Sequence, residues 1–269
     1  MKKAFQIKSE NEKSNFIVEH DKKESTRLNK YISGSGFCSR READRYIESG
    51  KVKIDGQKAK LGDIVFEHQE VSVDDHIITP KQDFVYIALH KPVGITCTTD
   101  TNIEGNICDF MNYKDIIFPV GRLDKESSGL ILLTNDGDIV NEILRSTNGH
   151  EKEYIVSVNR SITNDFITKL SQGIKIYNPV SNTYQITKSA KVSKISDTTF
   201  NIVLTEGLNR QIRRMCTALG YHVQTLQRVR IMNIHLGDLR VGQWRYLNAE
   251  ELRMCSASIQ NSRLVQSRE

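Results

Sequence analysis

Three short stretches carry residue types able to do chemistry. The first, Gly121-Arg122-Leu123-Asp124-Lys125-Glu126-Ser127-Ser128-Gly129-Leu130, sets a carboxylate, Asp124, in a polar loop flanked by glycines. A polar loop pinned between rigid elements is a common seat for catalytic groups. The plainer readings of Asp124 are a turn cap or an ion pair with Arg122. The second stretch is Lys152-Glu153-Tyr154, at the start of an alternating run. Taken alone, Tyr154 is an ordinary strand-edge aromatic. The third, Gly207-Leu208-Asn209-Arg210-Gln211-Ile212-Arg213-Arg214-Met215, opens a helical pattern. Its arginines could be a solvated face. Arg213 and Arg214 are adjacent and point about 100° apart on a helix, so they cannot serve one site.

The elements that must position these residues follow from pattern. Ile116-Ile117-Phe118-Pro119-Val120 precedes the Asp124 loop and Leu130-Ile131-Leu132-Leu133-Thr134 follows it, reading as two strands joined by that loop. Asn135-Asp136-Gly137 turns the chain into a helix over residues 137–146. Residues 84–89 form a strand that ends in a turn at His90-Lys91-Pro92-Val93-Gly94. Residues 154–158 and 200–204 are strands. Residues 162–170 and 208–219 are helices, the second with Ile212, Met215, Cys216 and Leu219 inward. Strands and helices without regular βαβ alternation indicate an α+β domain with a mainly antiparallel or mixed sheet. It spans residues 84–255 and is followed by a C-terminal tail, 256–269.

Ahead of it the organisation changes. Residues 1–24 read as a loose, charged tail. Residues 25–73 form a compact unit. Leu28, Tyr31 and Ile32 mark a short helix ended by Gly34. Ser39 and Glu42 form a capping box for a second helix with Ala43, Tyr46 and Ile47 on its apolar face. Val52-Lys53-Ile54 and the turn Asp55-Gly56 open a hairpin, with further strands near residues 64–66 and 71–73. Residues 74–83 are a linker.

Charge is concentrated. Residues 25–60 hold nine lysines and arginines against four acids, which accounts for the whole net charge of +5, since the remainder holds 29 of each. A basic unit on a neutral body indicates a polyanionic partner. Residues 1–25 lack the apolar core of a secretory signal, and no run of 18 apolar residues exists to span a membrane. Five scattered cysteines without a C-x-x-C pair fit free thiols in a reducing cytoplasm rather than disulfides or zinc.

The basic unit resembles the S4 RNA-binding domain, through Arg27-Leu28-Asn29-Lys30-Tyr31, Ser39-Arg40-Arg41-Glu42-Ala43-Asp44, Gly50-Lys51-Val52-Lys53-Ile54-Asp55-Gly56 and Gly62-Asp63. That resemblance implies RNA binding, with Arg27, Lys30, Arg40, Arg41, Arg45, Lys51 and Lys53 as the candidate phosphate contacts. The three chemical stretches together resemble the pseudouridine synthases. An N-terminal S4 domain marks the small-subunit-A-like group that modifies ribosomal RNA. Residues 150–154, 207–216 and 228–233 look most like its members that act on large-subunit rRNA.

The resemblance implies isomerisation of a uridine within RNA: the N1–C1′ bond breaks, the base turns, and it rejoins through C5. It implies Asp124 as the essential carboxylate, either bonding to the substrate or removing a ribose proton. Tyr154 would stack on the target base, Arg213 would pair with Asp124, and Ile212 would line the base pocket. Arg122 would fill the stack that the flipped nucleotide leaves. Arg210 and Arg214, sharing a helix face at i, i+4, would hold phosphates. The reaction needs neither metal nor cofactor. The expected partner is rRNA, 23S in the first place, with tRNA or both as alternatives; a non-catalytic ribosome-assembly factor is the competing class. Neither a membrane nor a second copy of the chain is expected.

Overall fold

The computed structural model describes residues 11–14, 24–81, 83–144, 149–179 and 182–266. Most of the segment read as an N-terminal tail, the ends of the residue 137–146 helix and of the C-terminal tail, and one linker residue lie outside them.

The first unit begins with β1 (Ser25–Arg27), α1 (Leu28–Gly34) and α2 (Arg40–Glu48). Ser39 caps α2 in the reciprocal arrangement read from the sequence: its hydroxyl accepts from Glu42 N and Glu42 accepts from Ser39 N. Next come β2 (Val52–Ile54), β3 (Gln57–Lys58), β4 (Ile64–Phe66), β5 (Val71–Val73) and β6 (His76–Ile78). Asp55 and Gly56 both take positive φ, 49° and 77°, which suits a two-residue hairpin. Leu28, Ile32, Ala43, Ile47, Val52, Val71 and Val73 are the centre of a small separate core. The sheet runs on through β6, which pairs with β5, and Ile78 joins the core. The unit therefore continues into the stretch read as linker. Polar Asp74 and Asp75 there make the tight turn, both at positive φ, rather than a boundary.

The second unit contains β7 (Tyr86–Lys91), α3 (Ile107–Met111), β8 (Phe118–Pro119), β9 (Ser128–Thr134), α4 (Gly137–Leu144), β10 (Lys152–Val158), α5 (Asn164–Gln172), β11 (Lys175–Asn178), β12 (Thr183–Ile186), β13 (Lys191–Lys194), β14 (Thr199–Leu204), α6 (Gln211–Ala218), β15 (Val223–Ile231), β16 (Ile234–His235), β17 (Trp244–Tyr246) and α7 (Ala249–Gln266). Its sheet runs β13-β14-β10-β15-β9-β7-β17. All pairings along it are antiparallel except β15 with β9.

The sheet is buried on both faces. One face packs Ile87, Leu89, Ile131, Leu133, Val156, Phe200, Ile202, Met215 and Cys216. The other packs Ala88, Leu130, Leu132, Ile139, Ile143 and Ile234 with Leu252, Cys255 and Ile259 of α7. Residues 252, 255 and 259 recur at helical spacing, so α7 belongs to this core and crosses the expected domain end at residue 255. β7 also exceeds its expected end, because His90 and Lys91 are buried strand residues and not turn residues. His90 is satisfied by the Leu239 carbonyl at 2.7 Å, and Lys91 Nζ donates to the Pro92 and Ile95 carbonyls at 2.8 and 2.9 Å. Hydrogen bonds let both polar groups sit in an apolar strand, though they only partly offset the desolvation of the Lys91 ammonium.

Candidate active site

Asp124 lies in the loop between β8 and β9, which pair antiparallel with each other. The loop is held along its length. Leu123 N donates to Cys97 Sγ at 3.4 Å, Gly94 N to the Lys125 carbonyl at 2.7 Å, and Ser127 N to the Asp124 carbonyl at 3.0 Å. Its far end is fixed by Gly129, at φ 109°, which pairs with Arg228 in the parallel rung. A Cβ on Gly129 would lie 2.2 Å from the Arg228 carbonyl oxygen, so only glycine allows this approach. Arg228 itself is buried, and its Nε donates to the Leu130 carbonyl at 2.7 Å and its Nη1 to the Arg122 carbonyl at 3.4 Å.

The third stretch reaches the same loop. Arg210 has left-handed backbone, φ 51°, and ends the loop before α6. Gln211, buried at the helix start, accepts from Leu208 N at 3.1 Å and donates to Glu206 at 2.6 Å, which shapes that entry. Arg210 Nη1 then lies 2.6 Å from Glu126 Oε2 and 3.8 Å from Asp124 Oδ2. Arg213 Nε lies 4.0 Å from the same Asp124 oxygen, while its Nη2 donates to the Glu126 carbonyl at 3.2 Å and Ser127 Oγ at 3.1 Å. Two guanidinium groups thus flank one carboxylate oxygen. The Arg210 hydrogen bond is the main reason that Glu126 titrates below the usual glutamate range.

Arg214 turns the other way, with Nη1 donating to the Tyr177 carbonyl at 3.3 Å and Nη2 to Asn209. The reading that Arg210 and Arg214 share a helix face does not hold. Arg210 precedes the helix, and its positive φ aims it at the Asp124 loop. Arg122 is exposed at the loop's start. Tyr154 on β10 pairs with Ile202 and Arg228. It is 8% exposed and shares a core cluster with Leu123, Ile212 and Leu226. Ile212 is buried.

Of the candidate RNA contacts, Arg27, Arg40, Arg41 and Arg45 are exposed on the first unit. The three lysines are engaged: Lys51 with Asp74 at 3.3 Å, Lys53 with Asp75 at 2.6 Å, and Lys30 with Asp138 of α4. The Lys30 pair links the two units, as does Lys81, whose N donates to the Gly34 carbonyl and whose Nζ meets Asp115 at 2.8 Å.

Sequence reasoning missed Glu126, Lys91 and Arg228. The available signal was a polar residue inside an apolar strand, as in Leu89-His90-Lys91. Lys91 is fully buried beneath the loop, and burial lowers its pKa to about 8 against partial compensation by Cys97 first and Asp124 second. Burial and the nearby Arg228 likewise lower Lys152 to about 8.

Comparison with known proteins gives this geometry its context. Residues 85–218 match the family model described as RNA pseudouridylate synthase, and residues 26–71 match the S4 domain. The chain is 51% identical over 240 residues to the dual-specificity RNA pseudouridine synthase RluF of Escherichia coli K12, covering 88% of this chain and 81% of that one. The chain belongs to the RNA pseudouridylate synthases. This synthase is also 32% identical to the ribosomal large subunit pseudouridine synthase B of Bacillus subtilis, over 86% of its own length and 96% of that protein's. A solved pseudouridylate synthase superposes with a TM-score of 0.62 at 29% identity, covering 85% of this synthase and 99% of that chain. The reaction class, an isomerisation within RNA, and the S4 unit read from the sequence both stand. No described helix is long and apolar enough to cross a membrane.

Proposed function

We propose that the synthase converts a uridine of large-subunit ribosomal RNA to pseudouridine, with Asp124 as its essential carboxylate. The observation that carries the assignment is the pair of guanidiniums, Arg210 and Arg213, at 3.8 and 4.0 Å from Asp124 Oδ2 in a loop fixed by backbone hydrogen bonds. Opposite charges around a fixed carboxylate keep it aimed at the sugar of a bound nucleotide. Arg213, the less exposed of the two, is the orienting partner. Tyr154, on the neighbouring strand row, offers its ring to the target base, beside Ile212. Arg122 takes the place left in the stack, offsetting the few kcal/mol, roughly, that base flipping costs. The exposed arginines of the first unit hold phosphates.

Large-subunit rRNA is favoured because the Bacillus subtilis relative is named for that subunit. The Escherichia coli relative is named dual-specificity, and tRNA, alone or together with rRNA, is the alternative substrate. We take the synthase to act as a monomer, and the five free cysteines suit a reducing cytoplasm. Pseudouridine mapping of rRNA and tRNA from cells with and without this chain tests the reading. Loss of a large-subunit site supports it; loss confined to tRNA contradicts it.

A further inference from the structure

Residue 126 engages both arginines that flank Asp124. The Glu126 carboxylate accepts from Arg210 Nη1 at 2.6 Å, and the Glu126 carbonyl accepts from Arg213 Nη2 at 3.2 Å. The same two guanidiniums stop short of Asp124, at 3.8 and 4.0 Å from Oδ2. At such separations the charges attract, but no hydrogen bond forms. Arg213 Nε, the atom facing Asp124, is buried and has no hydrogen-bond partner among the described residues. That side chain is held instead through Nη2, which also donates to Ser127 Oγ at 3.1 Å, and through Nη1, which donates to the Val223 carbonyl at 3.4 Å.

The chemistry asked of Asp124 gives this arrangement a purpose. To attack a sugar carbon or to take a proton, a carboxylate oxygen needs a free lone pair. Each hydrogen bond that it accepts stabilises the anion and lowers its basicity. A guanidinium presenting its planar fork would fill both oxygens. The same guanidinium held just beyond hydrogen-bond range keeps the attraction and leaves the oxygens free. Arg210 is the arginine that needs restraint. Its side chain is 40% exposed, against 15% for that of Arg213, and among the described residues its guanidinium hydrogen-bonds Glu126 alone.

We propose that Glu126 is a positioning residue: it draws Arg210 away from Asp124, so that the guanidinium steadies the Asp124 charge without occupying the oxygen that reacts. This rests on the reading of Asp124 as the essential carboxylate. Once the Glu126 carboxylate is gone, an approach of about 1 Å brings Arg210 into hydrogen-bond range of Asp124 Oδ2.

The test uses the full chain and a C5-tritiated large-subunit rRNA transcript, with kcat and KM taken from tritium release. Glu126→Ala leaves the backbone contact to Arg213 in place. It should lower kcat about tenfold, the scale of one hydrogen bond to a charged group. KM should not rise, because losing an acid weakens no contact with a polyanion. Glu126→Asp, which keeps the charge, should recover most of the rate. Removing Arg210 as well should suppress the defect. Glu126→Ala/Arg210→Ala should turn over at the rate of Arg210→Ala and faster than Glu126→Ala, since no second guanidinium is left to engage Asp124. A damaged fold would not be repaired by a further substitution. Parental kcat in Glu126→Ala would overturn the proposal, as would a double variant no faster than Glu126→Ala. A lower KM at parental kcat would overturn it too, showing that Glu126 merely withholds Arg210 from a phosphate. Asp124→Asn, measured alongside, separates this proposal from the reading beneath it. An inactive Asp124→Asn beside a parental Glu126→Ala sinks the Glu126 role alone; an active Asp124→Asn sinks both.

Discussion

The Cβ that Gly129 lacks would sit 2.2 Å from the Arg228 carbonyl oxygen and 2.5 Å from the Arg228 nitrogen. These two residues form part of the sheet's parallel contact, and they set where the Asp124 loop ends. Arg228 completes the arrangement by donating to carbonyls on either side, at Leu130 and Arg122. The Asp124 loop is thus positioned by a backbone approach that no other residue type permits.

Gly129→Ala should therefore be costly twice. Overpacking of this kind costs about 1–3 kcal/mol, and a domain of this size loses about 2–4 °C in Tm per kcal/mol. Turnover should fall further than stability, since separating β9 from β15 moves Asp124. Scanning calorimetry alongside tritium release from C5-labelled uridine checks both; unchanged Tm and rate would show that the strands can part without consequence.

Much of this was legible in the sequence because the motifs and the patterning agreed. The capping box at Ser39 and Glu42, the loop at Asp124 and the helix bearing Arg213 are all local signals. What stayed hidden was tertiary. β15 has no clean alternation because Arg228 is buried in it and bonded to carbonyls of other strands, so hydropathy misreads it. Arg210 looks helical by spacing, and only its left-handed backbone, set by the Gln211–Glu206 contact, sends it toward Glu126.

The three arginines of the third stretch should separate kinetically. Arg213→Ala should cut kcat by about 10²-fold at saturating RNA, the scale expected when a catalytic group loses its alignment. Arg213→Lys should recover part of this, restoring charge without the planar fork. Arg210→Ala should lower kcat less, because its pair with Glu126 is more exposed. Arg214→Ala should act mainly on KM, as uniform binding does when lost. Steady-state rates in which Arg214→Ala has the largest kcat effect would reassign the pairing.

Lys91 should leave a pH signature in stability. Burial lowers its folded pKa to about 8, against about 10.4 in an unfolded chain. Between those values the unfolded chain binds the proton and the folded chain does not, so this residue adds stability as pH rises through the window. The Tm difference between parent and Lys91→Met should accordingly shift in the parent's favour from pH of about 7.5 to about 10. A pH-independent difference would mean that Lys91 titrates alike in both states.

The most direct measurement concerns Asp124 itself. Asp124→Asn keeps the shape of the side chain and the loop's backbone hydrogen bonds, and removes the charge that Arg210 and Arg213 face. The variant should bind rRNA as the parent does and release no tritium above background from C5-labelled uridine. Turnover within about tenfold of the parent, a barrier change of only about 1.4 kcal/mol, would contradict the assignment of Asp124 as the essential carboxylate.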